Sequence, residues 1–449
     1  AADTVAGGDG TDTLSTSTAV ATSNVTGIEA LTITGNVTQD MDGLDGNTIT
    51  SVTLTGTGTS GVSDIVNIAS ATTATNGNNQ TAVSIARKTD GSSDSFTVTG
   101  RGNTITTLTT SDEETLTIAS NTAAQTITTL SAADLVTLNV TGDEDVTITN
   151  ITNNTNTTTY DASGSTGAVS IGNTANASAE AQTYTAGSGG LTATGGDLAD
   201  TMDGAAGADS LTGGGGADSI TGGAGADTID GGGAADVLSG GAGADSITSG
   251  AGNDNITGGA ANDTIVMAAN YTTADTVDGG DGTDTLTITT STTALTPTFT
   301  NIETVSITTA AGGTNTLALA STSGVSTINI VAAAGNVATT VSGIASGATV
   351  NNAETAGVVY TLDTAAGATL TYDADAALTG GSVAITDAAT VNITGGANGG
   401  DLTALALDNI DTTTLSISTT GTNDVDTGII TNTDKVTSMT MTTDTAAGN

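Results

Sequence analysis

The sequence has no cysteine, no histidine and no tryptophan, and a single proline, Pro297. Each absence excludes something. Without cysteine there is no disulfide framework and no thiolate to act as nucleophile or metal ligand. Without histidine, Ser-His-Asp and Cys-His catalysis are excluded, as is any zinc site built on imidazole. Basic residues are nearly absent as well: Arg87, Lys88, Arg101 and Lys435 face 47 acidic residues, for a formal charge of −43. Such a chain cannot neutralise phosphates, which excludes nucleic acid and anionic surfaces as partners for it. It attracts cations. No apolar run approaches the length of a membrane-spanning helix. No signal peptide opens the chain, which starts at Ala1 without Met, so it reads as processed or as a section of a longer polypeptide.

The residues that are present point to strands. Charged residues are only 11% and hydrophobic ones 36%, which is too apolar for an acidic disordered tail. Threonine is abundant, and β-branched side chains favour extended backbone. Two-residue alternation recurs in LTIT (31–34), VTLT (52–55), FTVT (96–99), LTIA (116–119), VSIT (305–308), VNIT (391–394) and LSIS (415–418). This pattern predicts strands with one buried face. A longer beat overlies it. TITTL at 104–108 returns at 126–130, and TLTIAS at 115–120 returns as TLNVTG at 137–142, both 22 residues later. A constant register over two elements predicts the rungs of a coil.

A shorter beat runs without gaps from Gly195 to Val266 as GGDLADTMD, GAAGADSLT, GGGGADSIT, GGAGADTID, GGGAADVLS, GGAGADSIT, SGAGNDNIT and GGAANDTIV. Position six is always aspartate: Asp200, Asp209, Asp218, Asp227, Asp236, Asp245, Asp254 and Asp263. Position eight is always aliphatic: Met202, Leu211, Ile220, Ile229, Leu238, Ile247, Ile256 and Ile265. Glycine makes the turn, the D-x-U-x tail makes a brief strand, and position eight points inward. Two units then form one turn of a flattened coil, stacking at the usual strand spacing of about 4.8 Å. The aspartates would line its two edges as rows of like charges, repelling by about 3–4 kcal/mol per pair at an effective dielectric near 20. A cation between turns reverses the sign. Carboxylates and turn carbonyls are hard oxygen donors, the set that Ca²⁺ prefers, whereas Zn²⁺ and Cu²⁺ are poorly served.

The units resemble the RTX nonapeptide, G-G-x-G-x-D-x-U-x, of calcium-binding parallel β-rolls. Gly279–Thr287 and Gly7–Ser15 add one further unit each, with Asp284 and Asp12 at position six and Asp281 and Asp9 at position three. The resemblance implies that Asp side chains and turn carbonyls of units n and n+2 share each ion, so that Asp218 pairs with Asp236 and Asp227 with Asp245. The glycines implicated are Gly213, Gly214, Gly216, Gly222, Gly223, Gly225, Gly240 and Gly243. Leu198, Ala234 and Ala261 depart from the fourth glycine and Ser249 from the first, which weakens sites built on those turns.

The expected fold is all-β, a calcium-binding RTX parallel β-roll joined to Thr-rich parallel β-solenoid segments. By composition the chain divides into a partial RTX-like edge (1–15), a Thr-rich β-solenoid segment (16–194), the β-roll (195–287) and a second Thr-rich segment (288–449). A larger module also recurs. ADTVAGGDGTDTLS (2–15) returns as ADTVDGGDGTDTLT (274–287), followed by NVTGIEALTI (24–33) and TFTNIETVSI (298–307). Glu29 and Glu303 in these modules read as residues that cap or pair at a strand entrance.

The whole chain is similar to bacterial surface-layer proteins of the RTX, Caulobacter-like type. That resemblance implies a secreted subunit, exported by a type I system, that calcium drives into a two-dimensional lattice of copies of itself on the cell surface. Attachment to glycolipid or lipopolysaccharide would use a region outside this chain. The alternative is a repetitive RTX adhesin or filament subunit. An enzyme on a parallel β-helix is the third reading. Paired acids such as Glu113–Glu114 and Asp143–Glu144–Asp145 could do acid–base work, but they fall where turns are expected. Aromatic residues are 2% of the chain and bases few, leaving little to bind sugars. The expectation is a structural protein with no catalytic activity.

Overall fold

Every regular element among the described residues of the computed structural model is a β-strand. It describes residues 5–7, 9, 11–16, 25–26, 28–33, 38–40, 51–54, 62–68, 72–76, 80–87, 94–99, 102, 104–110, 113–152, 155–172, 180–268, 271–290, 295–309, 314–319, 324–332, 338–352, 359–374, 382–395, 404–407, 412–419, 429–431 and 436–443. None of these residues forms a helix long and apolar enough to cross a membrane. The chain forms two compact units, Ala1–Val237 and Leu238–Asn449.

In the first unit the strands from Ser51 onward pair in parallel with the strand two places further on. Ser95–Thr99, Thr115–Ala119 and Thr137–Gly142 follow one another in one wall, and Thr104–Thr110, Gln125–Ser131 and Val146–Thr152 in the other. Parallel neighbours cannot be joined by a tight hairpin. The chain therefore crosses to the opposite wall and back, which makes each rung of a parallel β-solenoid. Thr104 lies beside Thr126 and Leu116 beside Leu138, the 22-residue register of the sequence. In the glycine-rich block the rung shortens to 18 residues, two nonapeptides, with Thr201 beside Ser219 and Ser210 beside Thr228.

The second unit repeats the scheme. Ser246 lies beside Thr264 at the same 18-residue step, then the step grows to 21 where Asn255 meets Thr276 and Thr264 meets Thr285. Beyond the block, Thr285 pairs with Thr304 and Thr304 with Thr327.

Alternation along the strands sends one side chain in two to the interior, where identical positions stack. Phe96, Leu116, Leu138, Tyr160, Tyr184, Met202 and Ile220 succeed one another in register, and none exceeds 2% exposure. Burying each such side chain stabilises the coil by about 1.5–3 kcal/mol. Tyr160 and Tyr184 stack with ring centroids 4.5 Å apart and planes 5° from parallel. The Tyr184 hydroxyl donates to Gln182 Oε1 at 2.6 Å, so its polar end is satisfied inside. On the outer face, polar ladders replace apolar ones. Asn351 Nδ2 donates to Asn329 Oδ1 at 2.8 Å, and Asn329 Nδ2 lies 3.4 Å from Ser306 Oγ.

Candidate metal centre

The nonapeptide glycines are required for two different reasons. At positions two and four the backbone turns left-handed: Gly214 and Gly223 have φ of 103° and 106°, and Gly216, Gly225 and Gly243 have φ of 101°, 154° and 137°. Only glycine adopts this region without cost. Where alanine stands there, it is forced to the same conformation, with φ of 59° at Ala205, 73° at Ala234 and 82° at Ala261. At position one, where Ser249 is the one exception in the block and is fully buried, glycine leaves space that a side chain would take from the carboxylate. A Cβ on Gly258 would lie 2.5 Å from Asp263 Oδ2 and 2.5 Å from the Gly279 carbonyl oxygen. At Gly213 the same two places are taken by Asp218 Oδ2 and, at 2.6 Å, the Gly231 carbonyl; at Gly240 they are taken by Asp245 Oδ2 and the Gly258 carbonyl. Gly195 and Gly204 face the Gly213 and Gly222 carbonyls in the same way. In these five units the carboxylate oxygen and the position-one carbonyl two units on thus converge on the space a methyl group would fill.

The position-six aspartates lie inside the coil. The nine-residue spacing predicts charge rows along its edges; the structure instead buries Asp200, Asp209, Asp218, Asp227, Asp236, Asp245, Asp254 and Asp263 to 3% exposure or less, with Asp284 at 0%. Their orientation follows from a bond that the spacing alone did not reveal. The main-chain N–H of each aspartate donates to Oδ1 of the aspartate one rung later: Asp200 to Asp218 at 2.7 Å, Asp218 to Asp236 at 2.8 Å and Asp209 to Asp227 at 2.8 Å in the first unit. In the second unit Asp245 donates to Asp263 at 2.8 Å and Asp263 to Asp284 at 2.7 Å. One oxygen of each carboxylate is thereby fixed. The other, Oδ2, is buried with no hydrogen-bond partner in Asp209, Asp218, Asp263 and Asp284.

A buried carboxylate oxygen without a donor strongly disfavours the ionised form. Burial pushes the Asp209 and Asp218 carboxyls up to about 7 and Asp263 up to about 6, and the neighbouring carboxylates in each row push the same way. Backbone N–H bonds to Oδ1 offset part of this effect. No lysine or arginine occurs between Arg101 and Lys435, so this stretch contains no basic side chain to neutralise the rows.

Asp200 differs from the rest. Its Oδ1 accepts from Gln182 N–H and its Oδ2 from Gly196 N–H, each at 2.7 Å, so backbone donors satisfy both oxygens. Asp9 and Asp281, at position three, are exposed, and Asp12 is half-buried. Two carboxylates join the rows without glycine turns to announce them. Asp275 is 1% exposed and accepts from Asp254 N–H at 2.7 Å and Thr272 N–H at 2.5 Å; the only trace of it in the sequence is the D-x-U triplet Asp275-Thr276-Val277. Glu303 accepts the Asp284 N–H at 2.9 Å, the capping role read for the Ile-Glu element, and Glu29 does the same for Asp12 at 2.9 Å. Among the described residues no group of three or more acidic side chains gathers about one point.

A parallel β-roll whose glycine turns bring carboxylate and carbonyl oxygens together is a cation-binding coil with hard donors, of the kind Ca²⁺ takes. Comparison with known families assigns it more closely. Residues 1–17, 194–229, 230–265 and 272–287 match the family described as RTX calcium-binding nonapeptide repeat, in 4 copies. The chain carries RTX repeats, these repeats bind calcium, and they are typical of secreted, extracellular proteins. No curated protein and no solved structure matches the chain.

Proposed function

We propose that this chain is a calcium-ordered structural subunit of a bacterial surface layer, assembling with copies of itself into a two-dimensional lattice outside the cell, and that it has no catalytic role. The observation that carries its calcium-ordered part is the fully buried Oδ2 without a hydrogen-bond partner in Asp209, Asp218, Asp263 and Asp284. Ionised, these carboxylates oppose the fold, and a divalent cation between rungs makes the same row cohesive. The ligands proposed are Asp209 with Asp227 and Asp218 with Asp236 in the first unit, and Asp245, Asp263 and Asp284 in the second, with the position-one glycine carbonyls. Bound calcium supplies the positive charge that the stretch between Arg101 and Lys435 lacks. The chain's own contribution is to hold the oxygens: Gly213 and Gly258 leave the space, Oδ1 locks each carboxylate to the previous rung, and Ile220, Ile229 and Ile265 fill the interior.

The surface-layer assignment, export by a type I system and attachment through glycolipid or lipopolysaccharide rest on the resemblance drawn from the sequence, and the four-part division of the chain rests on its composition and repeats. A stiff coil presenting Thr and Asn ladders suits a mechanical role. Electron microscopy of the native cell surface, with and without EGTA, tests the proposal. A periodic coat that dissolves in EGTA supports it. Sparse calcium-sensitive fibres favour an adhesin or filament subunit, and a coat indifferent to EGTA overturns the calcium scaffold.

A further inference from the structure

We infer that Asp284 and Glu303, with the main-chain carbonyl of Asn301, form a further calcium site where the glycine repeat stops. The segment TFTNIE that follows Thr287 contains no nonapeptide, yet it rebuilds the oxygen arrangement of one. In the preceding rung the space beside Gly258 is bounded by Asp263 Oδ2 and the Gly279 carbonyl. One step later, the space beside Gly279 is bounded by Asp284 Oδ2, at 2.7 Å from the position of a Cβ, and the Asn301 carbonyl. Asn301 thus stands where a position-one glycine would.

Its placement has a cause. Asn301 is left-handed, with φ of 53°, a conformation asparagine tolerates better than other residues with a side chain. Its amide donates to Asp278 Oδ1 at 2.8 Å, which fixes the turn that aims the carbonyl. Glu303 takes the place of the next aspartate. Thr285 pairs with Thr304, so Asp284 and Glu303 are neighbours across the rung, and Glu303 Oε2 accepts the Asp284 N–H as Asp284 Oδ1 accepts that of Asp263. This rung advances by 19 residues where the one before it advanced by 21, and the glutamate is one methylene longer than the aspartate it replaces.

A capping role alone would explain the bond to Oε2. It leaves Asp284 Oδ2 unexplained, because this atom is buried without a hydrogen-bond partner in a residue that is 0% exposed. It faces a carbonyl oxygen, which is an acceptor too, while Glu303 and Asp278 add negative charge. A divalent cation answers all of these, whereas a proton on Asp284 satisfies only one oxygen.

The inference rests on the reading that the position-six rows hold calcium, and the experiment separates the two. In the full chain, calcium binding is counted by equilibrium dialysis with the metal alone, and folding is checked by circular dichroism in saturating calcium. Glu303→Gln keeps an acceptor for the Asp284 N–H and removes the charge; Glu303→Ala removes both. Both variants are expected to bind one ion fewer than the wild type, or to bind one ion at least tenfold more weakly. If Glu303→Gln binds the wild-type number with wild-type affinities, Glu303 is a cap only and the inference falls. Asp218→Asn, far inside the repeat, serves as the reference. If it also leaves calcium binding unchanged, the aspartate-row reading fails; if it loses an ion while Glu303→Gln does not, only the terminal site is refuted.

Discussion

Replacing Asp218 with asparagine should stabilise the roll without calcium and destabilise it with calcium. Asparagine keeps Oδ1, so the Asp200 N–H retains its acceptor at 2.7 Å and the rung is preserved. What disappears is a charge whose row neighbours are Asp200 and Asp236, both of which raise its affinity for a proton. At the strand spacing of about 4.8 Å, each like-charge pair costs about 3–4 kcal/mol at an effective dielectric near 20. Partial protonation near neutral pH and relaxation of the turn reduce this, leaving an expected gain of about 1–3 kcal/mol for the metal-free state at pH 8. With calcium present, the same change replaces a charged ligand by a neutral one, and a tenfold loss of affinity corresponds to about 1.4 kcal/mol. The assay is circular dichroism. In EGTA the roll is driven to fold with trimethylamine oxide, which favours compact states, and the midpoint for the variant should fall at lower osmolyte concentration than for wild type. In a calcium titration its midpoint should rise at least tenfold. If both shifts have the same sign, the carboxylate rows are not the element on which calcium acts.

Two further outcomes follow from the same geometry. Ala261→Gly relieves a left-handed alanine, worth about 1–2 kcal/mol, less the roughly 0.4–1 kcal/mol that glycine adds to the freedom of the unfolded chain. A net gain of about 0.5–1 kcal/mol should appear as a higher urea midpoint in calcium, and an unchanged midpoint would show that the turn relaxes around the alanine. The pH dependence of the metal-free protein is the reverse of the usual one for aspartate. The Asp209, Asp218 and Asp263 carboxyls are raised to about 7, 7 and 6 when folded, above the ordinary unfolded value near 3.9. The folded state therefore holds more protons between these limits, and its stability is greatest below about pH 4 and declines as pH rises through 6 to 7. Circular dichroism in EGTA should show strand signal gained on acidification from pH 8 to 5, while calcium affinity falls over the same range because protons compete for the same oxygens.

Much of the coil was legible because its spacing is written in side chains that cannot be elsewhere. Leu116 and Leu138, or Ile247 and Ile265, repeat at intervals that only a stacked rung explains, and the structure sets them side by side. The aspartates were legible as two rows. Their burial was not, since it depends on the direction in which the left-handed glycines at positions two and four turn the chain, and one-letter periodicity does not encode direction. The same limit hid the distinction among the glycines. Gly213 is needed for the space beside Asp218, and Gly214 and Gly216 for their dihedral angles, yet the sequence presents them as one run. Asp275 and Glu303 were harder still. The turns that carry them contain no glycine at the expected places, and the bonds that enlist them span 21 and 19 residues.

The hydrogen bond from each aspartate N–H to the carboxylate of the next rung gives the coil a direction. A rung is not finished by its own residues; its last donor waits for the side chain that arrives 18 residues later. A chain delivered amino-terminus first therefore always carries an open rung at its growing end, and completion travels behind delivery by one turn. Stacking can advance no faster than the polypeptide emerges, and beyond Glu303, where the carboxylate row ends, it continues through main-chain pairing alone, as from Thr304 to Thr327. The coil is in this sense a ratchet wound from one end, with its order of assembly set by which rung supplies the acceptor.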